Sequence, residues 1–458
     1  MSTKRYRPYQ PKQTLLFPPS LDDWLPEDHP ARFVSDVIDQ LDLSCIYAEY
    51  EKEKRGYPPY EPSMMLKVLV YAYSVGVYSS REIERRLYDD IGFRYLAAGN
   101  FPDYRTICTF RKRHLGDFKR LFLEVLKLCQ KVGLVKLGTV AIDGTKIKAN
   151  ASKHKAMSYG RMKQEEARLE AEIERLTDKA KTTDDLEDRR YGDRRDDLPE
   201  ELRFHQSRLA KLREAKRALE DEAKGSSSSK QDDDDDDKLN GDPPSDDVDE
   251  VKPDDKVQRN FTDPDSRIMK APGKHQFIQG YNVQIAVDAE TQVILATHVH
   301  QSSSDTRSLI PILDNIESNV GRPLRVTADA AYFSEENVTE SRRRKIAPFI
   351  PPDKVKHSQW REPAKRGPLP RNATLRERMS RFIRTKRGKA VYKLRQQSVE
   401  PVFGQIKAVR GFRSFSLRGL ANVSDEWNLV ALVHNLLKVF RHKCASGGCI
   451  PRAVPTMG

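Results

Sequence analysis

The stretch VTADAAYFSEEN (326–337) opens as an apolar run and meets an aspartate, Asp329, where that run stops. The stretch VAIDGTKIKANAS (140–152) repeats the junction, with Val140, Ala141 and Ile142 leading into Asp143. Short apolar runs of this kind read as buried strands, and a carboxylate at the end of a buried strand is costly unless something compensates its charge. A divalent metal does so. Mg2+ takes a few carboxylate oxygens, and two such ions about 3.5–4 Å apart can activate a nucleophile and stabilise the leaving oxygen of a phosphodiester. Adjacent strands of one sheet would bring Asp143 and Asp329 together. For either aspartate alone a helix cap or turn reads equally well; jointly, in a basic chain, they favour a metal site.

The flanking sequence supplies the rest of a sheet. FIQGYNVQIAVDAETQVILATHVH (277–300) alternates over two runs joined by DAET, a hairpin with Asp288 in its turn. SSDTRSLIPILDNI (303–316) reads as a helix with Ser304 or Asp305 near its cap, SEENVTESRRRK (334–345) as another helix, and IAPFI (346–350) as a short strand. The order predicts a mixed sheet flanked by helices. Between Tyr159 and Gly225 the pattern is charged helix: Met162, Leu169, Ile173 and Leu176, then Leu202, Leu209, Leu212 and Leu219, keep helical steps and predict a coiled helical hairpin leaving the sheet after its first strand. The acidic stretch 225–255 has little to bury and is expected to be disordered.

Upstream, residues 31–133 read as helices. In PSMMLKVLVYAYSVGVY (62–78), Met65, Leu66, Leu69, Val70 and Tyr73 fall at helical spacing behind Pro62 and Ser63. Ser79 with Glu82 fits a capping box, and Asp103 is an N-cap for YRTICTFRKRHL (104–115). That last helix carries Arg105, Arg111, Lys112, Arg113 and His114. Short helices ending in a basic one suit a helix-turn-helix DNA-binding module, and an ordinary helical domain with a solvated basic face equally well.

The 458 residues carry 81 Lys+Arg against 68 Asp+Glu, a formal charge of +13 despite the run Asp232–Asp237. So positive a field attracts polyanions, nucleic acid foremost. No stretch reaches the roughly 18–20 apolar residues of a spanning helix, and the N-terminus lacks the apolar core of a signal peptide, so a cytosolic protein without membrane contact is expected. Five scattered cysteines suit reduced thiols; His442, Cys444 and Cys449 lack a fourth zinc ligand at suitable spacing.

A third carboxylate is expected from the C-terminal helices. In YKLRQQSVEPVFGQIK (392–407), Glu400 and Lys407 lie seven apart and so return to nearly the same helix face. Tyr392 and Arg395 precede them, a phenol that can stack and a guanidinium that can hold phosphate bidentately. Pro401 disfavours a helix interior. Glu400 is therefore expected either at a kink or in the first turn of a helix starting near Ser398, where the helix dipole would favour its charge.

These pieces together, AIDGTKIKANAS (141–152), DPDSRIMKAPGKHQFIQGYNVQIAVD (263–288), TADAAYFSEENV (327–338) and YKLRQQSVEPVFGQIK (392–407), resemble the DDE transposases of bacterial insertion sequences, those with a Tyr, Arg, Glu, Lys signature around the last acid. One departure is that four residues separate Arg395 from Glu400, where the signature has three; Lys393 is a neighbouring cation.

The resemblance implies an α/β, RNase H-like catalytic fold, a mixed sheet with flanking helices interrupted by the coiled hairpin, plus an N-terminal all-α helix-turn-helix-like domain. The expected divisions are 1–135 (DNA binding), 136–153 (first catalytic strand), 154–260 (hairpin insertion and acidic linker), 261–445 (the remainder of the catalytic domain) and 446–458 (tail). Asp143, Asp329 and Glu400 become the catalytic, metal-binding triad for two Mg2+ ions, with Mn2+ a substitute. Tyr392, Arg395, Lys407, Arg105, Arg111, Lys112 and Arg113 become nucleic-acid contacts. The implied activity is cleavage and strand transfer at terminal inverted repeats of double-stranded DNA, by a homodimer in a synaptic complex, in the nucleoid-associated cytoplasm. A nuclease of the same fold without strand transfer, or a non-catalytic DNA-binding descendant, stays open at this point.

Overall fold

The structure, a computed structural model, describes residues 20–52, 58–191, 200–228, 253–270, 277–353, 367, 369–370 and 372–446. It opens with helices α1 (Leu21–Trp24), α2 (Pro30–Ile38), α3 (Ser44–Glu51), α4 (Pro62–Ser74), α5 (Ser80–Asp89), α6 (Ile91–Leu96), α7 (Tyr104–Arg113) and α8 (Asp117–Lys131). Pro62 takes the first turn of α4, where its missing N–H costs nothing, and Asp103 caps α7 by accepting from the Thr106 N–H at 2.6 Å. The capping box at Ser79 is not made: its side chain bonds no backbone N–H, and Glu82 is held instead by Arg85 and Arg86 at 2.7 and 3.1 Å. An ion pair within the helix has displaced the cap.

The sheet is built on β1 (Thr139–Lys148) and β5 (Phe277–Asp288), antiparallel from Val140 opposite Asp288 to Lys148 opposite Gly280. The other edge of β5 is shared by β4 (Arg267–Lys270) and β6 (Ile294–His300). On its far side β1 pairs in parallel with β7 (Arg325–Thr327), and β7 with β8 (Ala347–Phe349). This curled mixed sheet is compatible with an RNase H-like fold. Asp288 closes the β5–β6 hairpin as the sequence predicts: one carboxylate oxygen accepts from the Glu290 N–H at 3.0 Å, the other from the Lys136 and Leu137 N–H groups at 2.8 and 3.0 Å.

The hairpin insertion consists of α9 (Tyr159–Tyr191) and α10 (Glu200–Ser228), rooted on a ribbon of β2 (Ala156–Ser158) and β3 (Gln258–Asn260). Met162, Leu169, Leu202, Leu209, Leu212 and Leu219 are buried, so the helical periodicity marks a real seam. Arg213 bridges the two helices to Glu166 and Glu170, and Lys216 to Glu166. Helix α10 runs to Ser228, and the Asp255 carbonyl accepts from the Gly160 N–H at 3.1 Å while its carboxylate pairs with Lys163 at 2.9 Å, so both ends of the stretch expected to be disordered are placed; 229–252 lies outside the described residues, as does most of the tail.

Helices α11 (Leu309–Val320), α12 (Glu335–Arg343), α13 (Leu375–Arg384), α14 (Lys386–Gly404) and α15 (Leu420–Ala445) complete the chain. Helix α15 packs against both α4 and α8 as well as β6. This explains why α4 is buried almost all round: Met65, Leu66, Leu69, Val70 and Tyr73 are at most 3% exposed. One apolar core therefore runs from the N-terminal helices into the sheet. No described helix is long and apolar enough to cross a membrane.

Candidate active site

Asp143 does not end its strand. It sits midway along β1, opposite Ile285 of β5, and what ends beside it is the parallel pairing with β7, which covers only Thr139–Ala141. The notch so formed is entered by Arg395 of α14, whose guanidinium donates to Asp143 Oδ2 at 2.7 Å. Asp143 Oδ1 accepts from the Gly144 N–H at 2.9 Å. Burial pushes the Asp143 carboxyl up to about 6, partly offset by Arg395 and reinforced by the negative charges of Asp329 and Asp305. The position selects for a cation, in line with the cost of an uncompensated buried charge.

Asp329 follows β7 and caps the 3-10 turn Ala330–Tyr332, accepting from the Ala331 N–H at 2.8 Å. Helix cap and site residue, posed as alternatives by the sequence, are thus compatible: Asp329 does the first while its charge is felt by Asp143. Asp305 adds a further carboxylate that sequence reasoning assigned to a helix end. It accepts from the Asn282 and Gln284 side-chain amides at 2.6 and 2.9 Å and acts electrostatically on Asp143.

Of the two placements expected for Glu400, the first turn of a helix starting near Ser398 is not the one adopted. The residue is exposed, in the interior of the 19-residue α14 rather than in a first turn, and Pro401 lies inside the same helix. So far from the N-terminus of α14, Glu400 gains nothing from the helix dipole. A proline at 401 leaves the Gln397 carbonyl without its usual i+4 donor, and Gln292 replaces it: its side-chain amide donates to Gln397 O at 3.1 Å. Gln292, at φ 63°, is braced in turn by Lys438 and by His434, whose Nε2 lies 2.9 Å from the Gln292 carbonyl oxygen. After Gly404 the chain widens into a π turn, Gln405–Val409, a geometry often found at functional sites.

His434 makes that brace sensitive to acid. Burial holds its pKa down to about 3, against 6.5 for an exposed histidine. Between those values the unfolded chain takes up a proton that the folded chain refuses, so stability present above pH 6.5 is lost as pH falls, by up to about 1.4 kcal/mol per unit. Urea midpoints from pH 7 to pH 5 should fall less steeply in His434→Gln than in the parent; equal slopes would show that His434 is not the group responsible.

The π turn carries Lys407, whose ammonium donates to Thr145 Oγ1 and, at 3.2 Å, to the Lys146 carbonyl. Burial, with Lys146 nearby, lowers its pKa to about 8. Two cations from the C-terminal segment thus dock on one strand, Arg395 on Asp143 and Lys407 on Thr145. Arg395 also lies 5.9 Å from the centre of the Tyr392 ring, and Glu400 contributes to its electrostatic environment. The phosphate role read for Arg395 does not describe this arrangement, in which its partner is a carboxylate.

Of the basic residues on α7, Arg105, Lys112 and Arg113 are exposed. Arg111 is not: it is 5% exposed and donates to the Tyr78 carbonyl at 2.8 Å and the Tyr73 hydroxyl at 3.3 Å. Tyr73 donates in turn to Glu426, 1% exposed, at 2.9 Å. The expectation that Arg111 faces DNA is corrected: it lies on the buried face of α7 with Ile107 and Phe110, within the field of the buried Glu426.

All the site's carboxylates offer hard oxygen donors of the kind Mg2+ takes, and the demand of Asp143 for positive charge fits a cation beside Asp329. Glu400 does not join them in this arrangement: among the described residues, no three His, Cys, Asp or Glu side chains are grouped to hold a metal.

The site presents two aspartates that feel each other's charge, Asp143 and Asp329, with Arg395 on the first and Lys407 docked on Thr145 of the same strand. Residues 19–113 match the family model described as Transposase domain (DUF772), and residues 256–436 match Transposase DDE domain. The chain is a DDE transposase, a DNA-cleaving enzyme of an insertion sequence. Asp329 and Glu400 fall inside the second match, and Asp143 precedes it. No curated protein and no solved structure matches the chain.

Proposed function

We propose that this transposase binds the terminal inverted repeats of its own element, nicks the ends by hydrolysis, and uses the freed 3′-hydroxyl for strand transfer. The observation that carries the reading is that Asp143 feels the charge of Asp329 on a curled mixed sheet compatible with an RNase H-like fold, with two cations of the C-terminal segment docked on the same strand. Asp143 and Asp329 would hold divalent metal, with Glu400 of the signature as third ligand; Mg2+ is the expected ion and Mn2+ a substitute. When bound, the metal pair would activate water or the 3′-hydroxyl and stabilise the leaving oxygen. Lys407 and Tyr392 contact the DNA backbone. Arg105, Lys112 and Arg113 form the end-binding face of a helix-turn-helix-like module in 1–135, while 136–153 and 261–445 carry the chemistry. A homodimer pairs the ends, in the cytoplasm on the nucleoid.

A strand-cleavage assay on duplexes carrying the flanking ends, with and without Mg2+, tests this. Metal-dependent nicks at the ends followed by joined products are expected; cleavage of any duplex without joining would reduce the protein to a nuclease. Arg105→Ala, Lys112→Ala and Arg113→Ala should each weaken end binding and lower the slope of log affinity against log salt by about 1. Unchanged slopes in the folded variants would remove α7 from the interface.

A further inference from the structure

Asp143 and Asp329 belong to segments far apart in sequence, and a single side chain touches both segments. Gln284 of β5 is fully buried and lies directly opposite Gly144, the residue after Asp143. Its amide fills the space that a side chain at 144 would need: a Cβ there would stand 2.3 Å from Gln284 Nε2. Glycine at this position is therefore a socket for Gln284. The other end of the amide faces the second segment, where Gln284 Oε1 accepts from the hydroxyl of Tyr332, a buried residue of the turn that Asp329 caps.

The amide has one orientation because its neighbours fix it. Gln284 Nε2 donates to Asp305 Oδ1 at 2.9 Å and to Asn282 Oδ1 at 3.1 Å, so Oε1 is left for Tyr332. Asp305 cannot drift, since Asn282 Nδ2 also donates to it at 2.6 Å. Next to it, Thr306 donates to the Ala331 carbonyl at 2.8 Å, tying the same turn from a second direction. From behind, the buried indole of Trp427 donates to the Gln284 carbonyl at 3.3 Å. A buried network in which each polar group has a partner is rigid, and breaking one member releases the others.

We infer that Gln284 is a positioning residue which, oriented by Asp305, sets the separation of Asp143 and Asp329 by plugging into Gly144 on one side and holding Tyr332 on the other. This rests on the metal-site reading proposed above. Gln284 itself touches neither substrate nor metal; it acts through the two aspartates.

The test uses the whole chain and two variants that preserve shape. Gln284→Met keeps the volume and removes the amide; Tyr332→Phe removes one oxygen and guards against the first failing to fold. Partners that orient ligands are typically worth 10–100-fold, so Gln284→Met should lower kcat for end cleavage by about that factor and Tyr332→Phe by about 10-fold, with KM for the DNA within about twofold. Calorimetric affinity for Ca2+, read without cleavage, should weaken about 10-fold in both. The double variant should be no worse than Gln284→Met alone, because both break one link. Parent-like kcat and Ca2+ affinity in the folded variants, or losses that multiply independently, would overturn the inference. If Asp143→Asn still cleaves and still binds Ca2+ at parent affinity, the metal-site reading fails instead, and the two failures are told apart.

Discussion

Asp143→Asn and Asp329→Asn should each reduce end cleavage on the order of 10^3-fold or more, leaving end binding intact, and the double variant should be hardly worse than either single, as for residues that act as one unit. The amide keeps the carboxylate's shape and loses the charge that a metal needs. Stability should survive, for a physical reason: burial already makes the Asp143 charge unfavourable, holding its carboxyl at about 6, and the Arg395 guanidinium can still donate to an amide oxygen. Glu400→Gln is the cleanest member of the set. Glu400 is exposed on α14, where substitutions typically change stability by no more than about 0.5 kcal/mol, so lost cleavage there would be lost chemistry. Full cleavage by Glu400→Gln would remove it from the triad. Full cleavage by either aspartate variant would remove the site.

The second large effect is on stability. Arg111→Ala would strand the Glu426 carboxylate, which burial already disfavours in its charged form and which Arg111 helps to hold charged. Breaking one side of a buried ionic network costs about 3–5 kcal/mol, read as a shift in urea midpoint at constant slope. Glu426→Gln should cost less, since its remaining oxygen can still accept from the backbone at Ser416 and Leu417. Arg111→Ala that unfolds like the parent but loses end affinity would return Arg111 to the DNA-facing surface.

Much of this architecture could be read from sequence because its signals are local. The alternation of 277–300 gave the β5–β6 hairpin with Asp288 in its turn, the leucine spacing gave the α9–α10 seam, and Pro62 and Asp103 marked helix starts. What escaped depends on contacts between distant residues. Nothing near Arg395 says that its partner is Asp143, 252 positions away. The interior placement of Pro401 depends on Gln292 supplying a donor across 105 positions. Arg111 looked like its neighbours because no periodicity reveals that Glu426 waits inside. One signal was available and passed over: Asn282 and Gln284 recur at period two within an otherwise apolar strand, and polar residues in such a run require partners.

The core that runs without interruption from α4 and α8 through α15 to the sheet bears on how such enzymes can be recombined. A fragment ending near residue 135 would carry into water the faces of α4 and α8 that α15 covers, an exposed apolar surface that invites aggregation. The half that contains α7 and the half that contains the aspartates are therefore not beads on a string. Exchanging one of them for its counterpart from a relative would mean refitting a shared interior side chain by side chain, so a chimaera should fold only if α15 travels with the helices it packs against.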